Sequence, residues 1–180
     1  MNAKQMLRRQ MLLQRNQLPL YQKNRYDQQF NDSLVRLVTQ QNPKSVHVFL
    51  PMRGEPDIFK FIEWLLSHSI IVICPVTLPK RQLKHVILKD LQFLEKGLFG
   101  TQHPSQTIEF NNTPDMIIVP ALAYDYHGFR LGYGGGYYDA FLSHCKGSYS
   151  VGLSYPFQYL ETIPVEPHDY KVKQVIVAND

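Results

Sequence analysis

Two short β-branched runs, residues 45–50 (SVHVFL) and 70–74 (IIVIC), flank a stretch, 57–68 (DIFKFIEWLLSH), whose apolar positions recur at helical spacing. Strand, helix and strand in that order make a βαβ unit, and Asp57 stands where a carboxylate can cap the helix. A pair of strands joined this way needs apolar cover on both faces, so the unit implies an α/β sheet between helical layers.

The rest of the chain extends that pattern. Residues 3–17 have helix-forming composition, and Pro19 separates them from a second helix over about 21–40. Tyr26, Phe30, Leu34, Leu37 and Val38 give that second helix one apolar face. Residues 83–88 alternate weakly and suggest a strand, whereas 97–114 are rich in Gly, Pro, Thr, Asn and Ser and read as loop. Residues 116–119 (MIIV) have the continuous apolar character of a buried strand. A glycine-dense loop, a helix over 136–145 and strands at 149–153 and 174–178 complete the sequence. One domain over residues 1–180 is expected, with no repeat or linker.

Composition narrows the functional classes. Hydrophobic residues make up 44% and charged residues 19%, the balance of a globular chain able to bury a core. No stretch is apolar enough for a bilayer, and the opening MNAKQMLRRQ has no signal-peptide core behind it, so a cytoplasmic protein with no membrane partner is expected. Cys74 and Cys145 lack the neighbours of a structural zinc site. The net charge of +4 is concentrated early, with six Lys/Arg against one acid in the first 30 residues. Without any nucleic-acid-binding signature, that charge favours a phosphate-bearing small molecule over nucleic acid.

Residues 119–142 (VPALAYDYHGFRLGYGGGYYDAFL) hold most of the chemistry. Five of the ten glycines, Gly128, Gly132, Gly134, Gly135 and Gly136, fall within nine positions. Such a loop lets backbone N–H groups approach an anion, and the helix after it directs its N-terminal dipole to the same place. By composition alone a glycine-rich loop is more often a mobile turn. Arg130 before it and Asp139 after it add a permanent cation and a carboxylate, which suit phosphate oxygens and a bridging Mg²⁺. Neither standard phosphate motif applies, because there is no G-K-[ST] ending and Tyr137 replaces the third glycine of G-x-G-x-x-G.

The run RLGYGGGYYD resembles the signature of the 5-formyltetrahydrofolate cyclo-ligase family, also called 5,10-methenyltetrahydrofolate synthetases. KQMLR, FLPMRGEPD and IPVEPHDYKVKQVIV resemble that family's N-terminal, substrate-loop and C-terminal elements, in the family's order across nearly the whole chain. The resemblance implies a three-layer α/β/α sandwich similar to the sugar-phosphate isomerase and CoA-transferase group. It implies ATP and Mg²⁺ as cofactors and 5-formyltetrahydrofolate as substrate; a monomer is expected.

By the same resemblance Lys4, Arg8 and Arg130 are catalytic and bind the ATP phosphates together with Leu131, Gly132, Tyr133, Gly134, Gly135, Gly136, Tyr137 and Tyr138. Leu50 and Glu55 are expected at the folate, with Tyr133, Gly134, Gly135, Gly136 and Tyr137 shared between the two ligands. Asp139 and Asp169 match the Mg²⁺ carboxylates. Arg15 falls almost in line with Lys4 and Arg8 on the first helix, but the resemblance gives it no role. Asp125 is left between a site role and a turn, and at least one of Tyr138 and Phe141 is expected to anchor the core. Some relatives carry basic residues where this chain has Tyr133 and Gly135, and an Arg where it has Ala140.

The reaction so implied is ATP-dependent closure of 5-formyltetrahydrofolate to 5,10-methenyltetrahydrofolate, through phosphorylation of the formyl oxygen and attack by N10. A catalytically silent folate- or nucleotide-binding relative is the alternative. The joint presence of Lys4, Arg8, Glu55, Asp139 and Asp169 argues against it. A sugar-phosphate isomerase on the same fold would leave the paired carboxylates unexplained, and fold alone does not decide function.

Overall fold

The computed structural model describes residues 2–52, 54–106 and 108–180. The chain opens with α1 (Ala3–Gln17), started by a capping box in which Asn2 Oδ1 accepts the Gln5 N–H and Gln5 Oε1 accepts the Asn2 N–H. After Pro19 comes α2 (Leu20–Gln41), which ends at Asn42 in the left-handed conformation. All five residues of its expected apolar face are buried.

The βαβ unit is present as β1 (Ser45–His47), α3 (Phe59–Ser67) and β2 (Ile71–Leu78), with the two strands parallel. Asp57 lies one residue further out than an N-cap. Its carboxylate accepts the Phe59 N–H at 3.0 Å, and its own N–H donates to Asp27 of α2. The turn is thus fastened from both sides. An antiparallel hairpin continues into β3 (Gln82–Leu88), the sheet edge.

Within residues 97–114, expected to be loop, β5 (Gln102–Pro104) forms and pairs with β4 (Leu94–Lys96) just before them, and Glu109 bridges Val86 of β3. Strands of three residues carry too little periodicity to be read from sequence; tertiary pairing makes them. Next come β6 (Met116–Val119), β7 (Ala123–Asp125), β8 (Arg130–Leu131) and α4 (Tyr137–His144). The last strands are β9 (Tyr149–Ser154), β10 (Tyr159–Leu160) and β11 (Gln174–Val177).

The main sheet has the order β11-β9-β6-β1-β2-β3, parallel except for β3. Its two faces are separate cores. Val46, Val72, Met116, Ile118 and Val151 pack with Phe30, Leu34, Phe61 and Leu65 of α2 and α3. Ile117 and Val119 point the other way, to Phe141 and Leu142 of α4. MIIV therefore reads as a continuous apolar run because each face of its strand meets a helix. A second sheet, β10-β7-β8, takes the apolar side of α1 through Met11, Leu122, Leu131 and Ile163. Among the described residues no helix is long and apolar enough to cross a membrane.

From β1 the chain first builds outward to β2 and β3, then returns to lay β6 on the other side of β1. The strand order reverses between β1 and β6, and open α/β sheets bind ligands beyond the carboxyl ends of strands at such a point.

Candidate active site

A cavity of about 620 Å³ opens at that reversal. Phe49, Leu50, Met52 and Glu55 reach it from the segment after β1, and Pro120 from the segment after β6. The glycine loop between β8 and α4 forms another wall, and the first turns of α1 bring Lys4 and Arg8 across it. Every residue given a site role from the sequence borders this one cavity: Lys4, Arg8, Leu50, Glu55, Asp169 and those at 130–139 that carried one.

The loop depends on its glycines. Gly134 has φ +101, a conformation L side chains rarely adopt, and a Cβ there would stand 3.5 Å from Arg8 Cζ. Gly136 has φ +69 and stands at the N-cap of α4, leaving the helix start without a side-chain cap where it borders the cavity. Tyr137 ties the loop to the sheet by donating its hydroxyl to the Leu78 carbonyl at 3.1 Å.

Three cations and three carboxylates surround this wall. Arg8 Nε donates to the Gly132 carbonyl at 2.9 Å and has no carboxylate partner among the described residues. Arg130, 7% exposed, donates to Asp139 Oδ1 at 2.7 Å and to the Tyr170 carbonyl at 2.8 Å. Asp139 Oδ1 also accepts the Tyr170 N–H at 3.2 Å, so the carboxylate sits beside the segment that carries Asp169. Lys4 Nζ lies 2.7 Å from Asp169 Oδ2 and 2.8 Å from Glu166 Oε2. Burial pushes the lysine down, but the hydrogen bonds to Asp169 and Glu166 outweigh it and hold the ammonium above its ordinary pKa. For Asp169 burial pushes up, and the bonds from Lys4 and the Glu166 N–H more than offset it.

The two aspartates thus border one cavity from chain-distant segments, each already paired with a cation. Asp139 Oδ2 and Asp169 Oδ1 take no hydrogen bond among the described residues. Glu166, His168 and Asp169 also place one ligand atom each within 4.8 Å of one another. Anionic oxygens of this kind suit a hard divalent cation, so the residues present fit Mg²⁺.

Opposite the loop, Glu55 is 6% exposed. Its Oε2 accepts the Met52 N–H at 2.9 Å and its Oε1 the Tyr133 hydroxyl at 2.6 Å. Tyr138 packs against His47 and Phe141, and its buried hydroxyl lacks a partner among the described residues. Phe141 is the core anchor at 8% exposure.

Asp125 resolves as a turn residue. It is 1% exposed, and its carboxylate accepts the N–H groups of His127, Phe129 and Ile163. Sequence reasoning passed over Arg81, Phe99 and Glu166, which border the cavity, and Arg15, which stands behind it. Arg81 and Phe99 come from hairpin turns with no motif around them. Glu166 lies inside the matched C-terminal run, three residues before Asp169, where its carboxylate was the available signal.

Comparison with known proteins agrees with this geometry. The sequence pattern of the 5-formyltetrahydrofolate cyclo-ligase family matches residues 1–178. A 5-formyltetrahydrofolate cyclo-ligase of Mycoplasma genitalium is 29% identical over 177 residues, covering 96% of each chain. One from Mycolicibacterium smegmatis is 32% identical over 142 residues, covering 74% of this chain and 73% of its own. The solution structure of Aquifex aeolicus 5,10-methenyltetrahydrofolate synthetase superposes with a TM-score of 0.85 at 28% identity, covering 98% of this chain and 90% of that one.

Proposed function

The chain belongs to the 5-formyltetrahydrofolate cyclo-ligase family and is a ligase of that class, and from this premise we propose that it uses ATP and Mg²⁺ to convert 5-formyltetrahydrofolate into 5,10-methenyltetrahydrofolate, releasing ADP and phosphate. The observation that carries the reading is the convergence of the glycine loop, Arg8, Lys4, Arg130 and two carboxylates on the cavity that Glu55 enters from the opposite side.

A formamide oxygen is a poor leaving group, so closing the ring at N10 requires that oxygen to be activated. In the proposed sequence the formyl oxygen of the folate attacks the γ-phosphorus of ATP, the bond to the bridging oxygen breaks, and ADP departs. N10 then adds to the activated carbon, its proton leaves, and phosphate takes the former formyl oxygen away. The product keeps one carbon bridging N5 and N10.

The protein's part is alignment and charge neutralisation. Arg8 and the amides at the start of α4 hold phosphate oxygens, and Arg130 stands at the base of the loop. Lys4 is placed to turn from Asp169 and Glu166 toward the phosphates when these arrive. Asp139 and Asp169 would hold Mg²⁺ through their remaining oxygens. Bound there, the ion would supply positive charge to offset that of the phosphates. Glu55, fixed by Met52 and Tyr133, presents a carboxylate to N–H donors of the pterin, and Leu50 packs beside it. Since ring closure is intramolecular, holding one folate pose supplies several kcal/mol of the barrier reduction.

Substrate carrying ¹⁸O in the formyl group tests this route. Label should appear in inorganic phosphate, one atom per ADP formed. Unlabelled phosphate would remove phosphorylation of the formyl oxygen from the account.

A further inference from the structure

Arg15 is 4% exposed, yet no carboxylate meets it directly among the described residues. Its guanidinium donates to the Tyr133 hydroxyl at 2.9 Å, to the Ala121 carbonyl at 2.8 Å and to Gln158 Oε1 at 3.3 Å. Its Cγ lies 3.3 Å from where a Cβ on Gly54 would stand, and Gly54 precedes Glu55. One buried side chain therefore touches the glycine loop, the segment after β6, the turn after β9 and the loop carrying Glu55.

The contact with Glu55 is made through Tyr133. Arginine has donors only and a carboxylate only acceptors, so the hydroxyl between them has one possible orientation: it accepts from Arg15 and donates to Glu55. Both hops involve a charged group, the stronger kind of hydrogen bond. Burial, followed by the Glu55 charge, pushes the Tyr133 phenol well above its ordinary pKa, so it stays protonated. The tyrosine as a whole is 40% exposed and borders the cavity. A ligand seated in the glycine loop would therefore border a residue hydrogen-bonded to Glu55.

We infer that Arg15 and the Tyr133 hydroxyl form a bridge coupling the two halves of the site, so that nucleotide in the glycine loop and folate at Glu55 tighten each other's binding. Arg15 is a positioning residue in this scheme; it touches neither ligand. The inference rests on the functional reading above, which assigns the two ligands to the two loops.

The test is calorimetric titration of an ATP analogue with a non-transferable γ-phosphate, with Mg²⁺, in the absence and presence of saturating 5-formyltetrahydrofolate. In the unmodified protein the folate should tighten the analogue about tenfold. Tyr133→Phe removes both bonds at nearly constant volume and should bring that ratio close to one. Arg15→Lys, which keeps the charge and loses the planar fork, should do the same, and the double variant should lose nothing more. A purely structural role would lower melting temperature and leave the ratio of the folded protein unchanged. Coupling retained in Tyr133→Phe, or no coupling in the unmodified protein, overturns the bridge. Failure of the unmodified protein to bind either ligand would overturn the ligand assignment instead.

Discussion

Asp139→Asn tests two roles of one carboxylate, its ion pair with Arg130 and its proposed hold on Mg²⁺. The change keeps volume and removes charge from a residue that both pairs with Arg130 and faces the cavity. Removing one partner of a fully buried ion pair costs about 3–5 kcal/mol. Here the Arg130 side chain is 4% exposed and that of Asp139 21%, and the amide oxygen of Asn still accepts a hydrogen bond, so about 2 kcal/mol is expected. For a chain of this length that is a drop of about 4–8 °C in Tm, small enough to leave a folded protein at 25 °C. Turnover should fall far more, because the proposed metal site loses one of its two carboxylates. Thermal melts and Mg²⁺-dependent turnover measured on one preparation read both effects. Adding Arg130→Met removes the stranded cation and should recover part of the stability without recovering activity. A folded Asp139→Asn protein with near-normal turnover and unaltered Mg²⁺ dependence would refute the metal assignment.

Arg8→Ala should raise the KM for ATP at least tenfold while changing Tm little, since among the described residues Arg8 bonds a carbonyl and has no carboxylate to strand; an unchanged ATP dependence would take α1 out of the site. Glu55→Gln should impair use of 5-formyltetrahydrofolate and leave binding of the ATP analogue alone within a few-fold; wild-type folate kinetics would break the substrate-loop assignment. His47 and His85 contact each other at 3.1 Å beneath Phe141. Burial, with the neighbouring His85 adding to it, holds His47 well below its ordinary pKa, and burial lowers His85. The folded state therefore resists protons that the unfolded chain accepts, and stability should be complete above about pH 6.5 and fall as pH drops below it, by up to about 1.4 kcal/mol per unit for each histidine. Urea midpoints between pH 7.5 and 5 check this, and a His47→Gln/His85→Gln variant that keeps the full slope would refute it.

How much was legible in the sequence follows from where each signal lives. The apolar stripe of α2 and the run MIIV report burial through their own periodicity, and both are buried as read. The sheet β10-β7-β8 escaped because its strands have two or three residues, too short for a period, and β10 reaches β7 only across the intervening α4 and β9. Arg130 and Asp139 lie within one motif, so their proximity was readable. Lys4 and Asp169 are 165 residues apart, and only the docking of α1 brings them together. Arg15 shows the limit most sharply. On a helical wheel it extends a stripe of cations that normally faces water, and nothing in the local sequence says that Tyr133, Ala121 and Gln158 close over it.

The most direct measurement is the appearance of methenyl absorbance when purified protein is given 5-formyltetrahydrofolate. Absorbance should rise only with both ATP and Mg²⁺ present, matched mole for mole by ADP. Absorbance that rises equally without ATP, or no rise from a folded protein that binds both ligands, would contradict the proposed reaction.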